Sequence, residues 1–127
     1  MVHSLIPPIP SSINYFVDGT LFPDDVDATS LGYATLLKAH LVRKDEVLPI
    51  AELVFGNVNA QGIVEVYIKP AEDGKKSMVD ACACAYVLRL GYILGQESKL
   101  EKTENHVFEW LKSGNWKQGT IYYPSGF

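Results

Sequence analysis

Asp24-Asp25-Val26-Asp27-Ala28-Thr29-Ser30 crowds three carboxylates into a short stretch, and part of it returns about fifty residues later. Val26-Asp27-Ala28 is echoed by Val79-Asp80-Ala81. A Tyr follows each echo at the same interval, Tyr33 and Tyr86, and a Leu follows each Tyr, Leu37 and Leu90. Gln61-Gly62 leads to Tyr67, and Gln118-Gly119 leads to Tyr122 and Tyr123. Self-similarity at this spacing is the mark of a repeated supersecondary unit, which cannot bury its apolar face alone.

Both echoes head helical patterns. Pro23 and the acidic cluster suit a helix N-terminus, where carboxylates meet free N–H groups and the positive end of the dipole. Leu31, Ala34, Leu37 and Leu41 then recur at helical spacing, and Lys38, His40, Arg43 and Lys44 suit the closing turns. The first helix is expected over 27–43. Asp45 is expected to cap a second over 46–55, with Pro49 in its first turn and Gly56-Asn57 as its stop. Residues 62–69 alternate and read as a short strand or an ordered extended connector, and 70–77 as a polar turn region. A third helix over 80–94 is apolar almost all round, so it should be buried on most sides. Thr103 is expected to cap a fourth over 103–113, with Val107, Trp110 and Leu111 as its stripe and Gly114 as its stop.

Outside the helices, residues 1–12 form a Pro-rich lead-in. Residues 13–23 read as loop with Tyr15, Phe16 and Phe22 as aromatic anchors. The chain therefore reads as one all-α domain of two helical hairpins, about 24–70 and 77–125, joined by short extended connectors. Stacked pairs of this kind build solenoids or closed α/α barrels. Two units are few, and the apolar faces around Val87, Leu90 and Ile93 and the tail aromatics call for cover. The expectation is a partial barrel that self-associates or docks on a partner domain.

Composition narrows the function. The chain has 127 residues, 47% of them apolar, and a net charge of −4. No Lys/Arg run exists, so phosphate neutralisation along a nucleic acid is not expected. The longest apolar run is far below the roughly 18 residues of a membrane span. The N-terminus lacks a basic stretch and carries Pro7, Pro8 and Pro10, which is unlike a signal peptide, so a cytoplasmic location is expected. Cys82 and Cys84 are too close for an ordinary disulfide and point to different faces of a helix. Without a second Cys pair or clustered His, they read as small buried helix residues rather than metal ligands. His40 and His106 read as surface residues on helices. The motifs of nucleophilic triads and phosphate loops are missing, as is the Asp-Asp-x-x-Asp motif of metal-dependent ionisation of an allylic diphosphate.

The residues from about 15 to 125 resemble the terpenoid cyclases and protein prenyltransferases of the α/α-toroid class. Asp25-Val26-Asp27-Ala28-Thr29-Ser30 is similar to the Asp-x-Asp-Asp-Thr-Ala signature of class II terpene cyclases. Its Thr29-Ser30 ending resembles the Asp-x-Asp-Thr-Thr variant of drimane-type sesquiterpene cyclases, some of which are fused to a haloacid-dehalogenase-like phosphatase. Val79 to Leu88 resembles a second stretch of toroid-like microbial proteins. The sequence differs at Ala28, where an Asp or Thr would follow the acid, and at Tyr86, where the related stretch has Asn.

This resemblance implies protonation of a polyprenyl diphosphate by a carboxylic acid held neutral in a dry, aromatic-lined cavity. A nearby carboxylate and a low dielectric both favour such a neutral acid. It assigns Asp27 as the proton donor, Asp25 as its coupled neighbour and Thr29 as a hydrogen-bonding support. Tyr67, Tyr86 and Tyr122 would face the carbocation. No cofactor is expected, apart from Mg²⁺ accompanying a diphosphate. The plainer reading is that Asp25 or Asp27 is an N-cap, Asp80 another, and the tyrosines packing groups. A helical-repeat interaction module or an inactive fragment is the alternative function. An aromatic pocket walled by Asp27 separates the enzyme from the module.

Overall fold

A computed structural model describes residues 25–68 and 78–119. The lead-in, the loop anchors, Asp24, the 70–77 turn and the tail with Tyr122 and Tyr123 lie outside them. Four helices follow in order: α1 (Val26–Lys38), α2 (Lys44–Phe55), α3 (Ala81–Leu94) and α4 (Glu101–Lys112). Short 3₁₀ turns at Glu97–Leu100 and Asn115–Gln118 flank α4. The described residues form no strand, only isolated antiparallel bridges between Asp25 and Tyr67 and between Val58 and Val64. The all-α expectation holds, and 62–68 is the ordered connector.

The central helix is α3. It touches the other three and packs most closely on α1. Ala83, Cys84, Val87, Leu88, Leu90 and Leu94 meet Val26, Tyr33, Ala34 and Leu37 of α1 in one core. Small residues at the start of α3 let its neighbours approach closely. Gly91 does the same near its end, because a Cβ there would come within 2.5 Å of Leu100 Cδ1. Val87 and Leu90, expected to need outside cover, are fully buried within the chain. The large apolar side chains left exposed stand elsewhere, among them Leu31, Leu53, Tyr92, Phe108 and Leu111.

One connector joins the helix starts. Val66 accepts from Val26 N–H at the head of α1 and donates to Met78 O ahead of α3, both at 2.8 Å. Both helices thus begin beside the same residue and pack in the same direction. Val64 N–H donates to Thr103 Oγ1 at 3.1 Å, and the Cys84 thiol donates to Val64 O at 3.4 Å. Asn57 brackets the rest. Its carbonyl accepts from Glu65 N–H, and its side-chain amide donates to Glu65 O and Tyr67 O. A buried extended segment needs a partner for each polar backbone group. Side chains and distant backbone groups together supply here what a sheet would supply elsewhere.

Helix ends bear out the expected cap at Asp80 and correct other expectations. Asp80 caps α3, accepting from Cys82 N–H at 2.9 Å and Ala83 N–H at 3.1 Å. Asp25, not Asp27, caps α1, accepting from Ala28 N–H at 2.8 Å. The structural counterpart of Asp80 is therefore Asp25, two positions away from the residue that the sequence echo pairs with it.

Helix α1 stops at Lys38 rather than 43. His40 N–H bonds Leu37 O and Leu41 N–H bonds Leu36 O, the paired closure of a Schellman turn, with His40 at φ 58°. Gly95 and Gln96 make the same pair of bonds after α3, with Gly95 at φ 69°. Equal numbers of residues separate Asp25 from His40 and Asp80 from Gly95, so α1 and α3 are matched at both ends. Leu41 falls outside the helix and is 45% exposed.

The cap of α2 is Arg43, not Asp45. Glu46 reaches back to accept from Arg43 N–H at 3.0 Å, leaving Asp45 in the first turn. Pro49 therefore lies beyond that turn, where its ring removes one helical bond on an exposed face. The Arg43 guanidinium donates to the Asp45 carboxylate at 3.1 Å, which raises the pKa of Arg43 and lowers that of Asp45. Thr103 is buried inside α4 and holds Val64 instead of capping. In the expected stripe of α4, Val107 is buried, Trp110 half-buried and Leu111 exposed.

Candidate active site at the start of α1

The head of α1 gathers three of the expected site residues. Asp25 is buried as the cap, Thr29 is fully buried one turn on, and Asp27 is half-buried between them in the first turn. Capping forces this arrangement. The extended backbone of Asp25 (φ −118°, ψ 154°) aims its carboxylate at the free N–H of Ala28. Helical backbone from Val26 onward then sets Asp27 and Thr29. Ser30 is also fully buried, and among the described residues its hydroxyl meets no hydrogen-bond partner. Ser30 was not among the expected site residues, and only burial marks it out.

Of the aromatic set, Tyr67 comes closest. Its backbone bridges with Asp25, and its side chain is half-buried against the core. Tyr86 lies half-buried on α3. Tyr122 is outside the described residues. Cavities lined by described residues lie at the α1–α2 turn and along α4 beside Gln61 and Ile63, away from Asp27.

Neither cysteine is in a disulfide, and both are buried. Burial, with the negative charge of Asp80 adding to it, pushes the Cys84 thiol up to about 12. A thiol held protonated is neither a nucleophile nor a metal ligand. Among the described residues no three His, Cys, Asp or Glu stand together as a metal site. No helix there is long and apolar enough to cross a membrane.

The sesquiterpene cyclase astC-like C-terminal domain matches residues 2–93, more than half of the chain. The chain belongs to this family. The match takes in Asp25, Asp27, Thr29, Tyr67 and Tyr86 and ends inside α3, short of Tyr122. It places the chain among terpene cyclase-like domains. No curated protein and no solved structure matches it.

Proposed function

We propose that this astC-like domain starts the cyclisation of a polyprenyl diphosphate by proton transfer from Asp27. The observation that carries the reading is the placement of Asp27: half-buried in the first turn of α1, between buried Asp25 and buried Thr29, in a chain of the sesquiterpene cyclase family. The carboxyl proton of Asp27 passes to a terminal alkene carbon, and the cation forms on the neighbouring carbon. Ring closure carries that charge along the chain until a proton is lost. Asp25 fixes the first turn through its bond to Ala28 N–H and keeps a second carboxyl group near the donor. The faces of Tyr67, Tyr86 and Tyr122 shelter the cation. Mg²⁺ accompanies the diphosphate, not the acid. The helices form part of an α/α toroid, whose remainder is supplied by another domain or a second copy.

The test is incubation with farnesyl and geranylgeranyl diphosphate. Cyclised product is expected from the wild type and not from Asp27→Asn, with both equally folded by circular dichroism. Product persisting in Asp27→Asn moves the chemistry to another acid. A folded wild type without product on either substrate removes the enzymatic reading.

A further inference from the structure

The two helix pairs repeat one packing pattern, and the repeat leaves a bare strip at each end. Counterparts on α1 and α3 follow from their matched ends, Asp25 with Asp80 and His40 with Gly95. On α1, Ser30, Ala34 and Leu37 are buried, the last two in the core shared with α3. Their counterparts on α3 are Ala85, half-buried, Arg89, exposed, and Tyr92, 54% exposed. The converse holds on the other side. Leu90 of α3 is buried and Tyr86 and Ile93 are half-buried, while their counterparts Thr35, Leu31 and Lys38 of α1 are all exposed. Each strip is covered in one helix pair and bare in the other.

The two bare strips differ in charge. Tyr92 lies among carboxylates, donating to Glu104 and feeling the charge of Glu97 as well. Phe108 and Leu111, both exposed, follow Glu104 along one stripe of α4 and widen the apolar face. The strip on α1 ends instead at Lys38, which has no ion-pair partner among the described residues. The α1–α3 packing tells where that lysine falls when the pattern continues. Leu37 and Ile93 line the same groove at the α1–α2 turn. Their counterparts are Tyr92 and Lys38. A further α1 laid on α3 as α3 lies on α1 therefore sets its Lys38 beside Tyr92 and the acids around it.

We propose that a second copy of this chain covers the bare strip of α3, head to tail, with Leu31, Thr35 and Lys38 of its α1 against Ala85, Arg89 and Tyr92. Lys38 of the second copy meets Glu104, and the aliphatic stem of Arg89 lies along Leu31. The contact joins two different strips, so the interface is heterologous and each copy keeps one open end for a further copy. Stacking also reaches the candidate site. The counterpart of Asp27 is Cys82, which is 1% exposed where Asp27 is half-buried. Laying α3 of one copy along the first turn of α1 in the next takes water away from Asp27 and sets Ala85 beside it. The inference rests on the partial-toroid part of the reading above and does not need proton transfer by Asp27.

Analytical ultracentrifugation of the full chain over a range of concentrations tests it. The wild type is expected to gain mass above a single chain as concentration rises. Leu31→Asp and Tyr92→Asp each place a charge at an exposed position in one strip, and circular dichroism should show both folded. Each variant alone is expected to associate at least about tenfold more weakly. Mixed in equal amounts they are expected to pair, because the first keeps the α3 strip and the second keeps the α1 strip. Asn105→Asp, on the side of α4 that lines a groove with Gln61, adds charge away from both strips and should associate like the wild type. A wild type that stays a single chain at every concentration overturns the inference. A mixture no more associated than its components does so too. So does one variant that associates like the wild type, which would mark a two-fold interface through the other strip alone. Association without cyclised product removes the Asp27 reading and leaves this one standing, and product from a wild type that stays a single chain does the reverse.

Discussion

The hydroxyl of Thr103 accepts the backbone N–H of Val64 at 3.1 Å, tying the connector between the two helix pairs to the inside of α4. Both residues are almost fully buried, and their bond spans 39 positions of the chain. Replacing Thr103 by Val keeps the shape and strands a buried donor. The expected loss is about 1–3 kcal/mol in urea unfolding. Thr103→Ser keeps the acceptor and should lose about 1 kcal/mol or less.

Asp25 and Asp80 do the same work at the heads of α1 and α3. Asp80→Ala should cost about 1–2 kcal/mol and Asp80→Asn far less, because the amide oxygen still accepts from Cys82 and Ala83. Asp25→Ala should cost about as much, read as a lower urea midpoint. Comparing Asp25→Asn with Asp25→Ala therefore separates capping from any effect on product formation.

Cys84 makes stability depend on alkaline pH. Its folded pKa of about 12 lies above the ordinary 9.0. The unfolded chain loses the proton first, so the contribution of this thiol is complete below about pH 9 and drains away as pH rises toward 12. The slope from this one group is at most about 1.4 kcal/mol per pH unit. Urea midpoints at rising pH should fall less steeply in Cys84→Ala. At pH 8 an aromatic disulfide reagent should leave Cys82 and Cys84 unmodified until denaturant is added.

The phenol of Tyr92 donates to the Glu104 carboxylate and links α3 to α4 at the surface. That bond first, then burial and the charges of Glu104 and Glu97, raise the Tyr92 pKa above its usual range. Ultraviolet titration should show Tyr92 ionising late, and Glu104→Gln should bring its ionisation to lower pH.

His40→Gly relieves the left-handed backbone at the end of α1 and should raise stability by about 1 kcal/mol.

Much of the fold was legible from periodicity and end signals. The spacing of Leu31, Ala34 and Leu37, the small residues of α3, and stops at Gly56, Gly95 and Gly114 located four helices to within a few residues. The misreadings share a cause. His40 ends α1 through a turn usually written with Gly. Leu41 continues a helical spacing that the chain itself does not continue. Thr103 looks like a cap because a threonine in front of an apolar stripe has the same appearance whether its hydroxyl meets its own helix or a distant N–H. The site was legible only as a cluster of acids at a helix start.

Local physics was enough for the helices, the caps at Asp25 or Asp27 and at Asp80, and the buried character of α3, because each depends on residues within a few positions of one another. Tertiary structure chose Asp25 over Asp27 as the cap. That choice rests on Val66, which accepts from Val26 N–H and sets where α1 begins. It also matched α1 with α3 in a register two positions away from the sequence echo, and it brought Ile93 of α3 to the α1–α2 turn. Hydrogen bonds and packing between residues distant in the chain make those decisions, and no spacing along the chain encodes them.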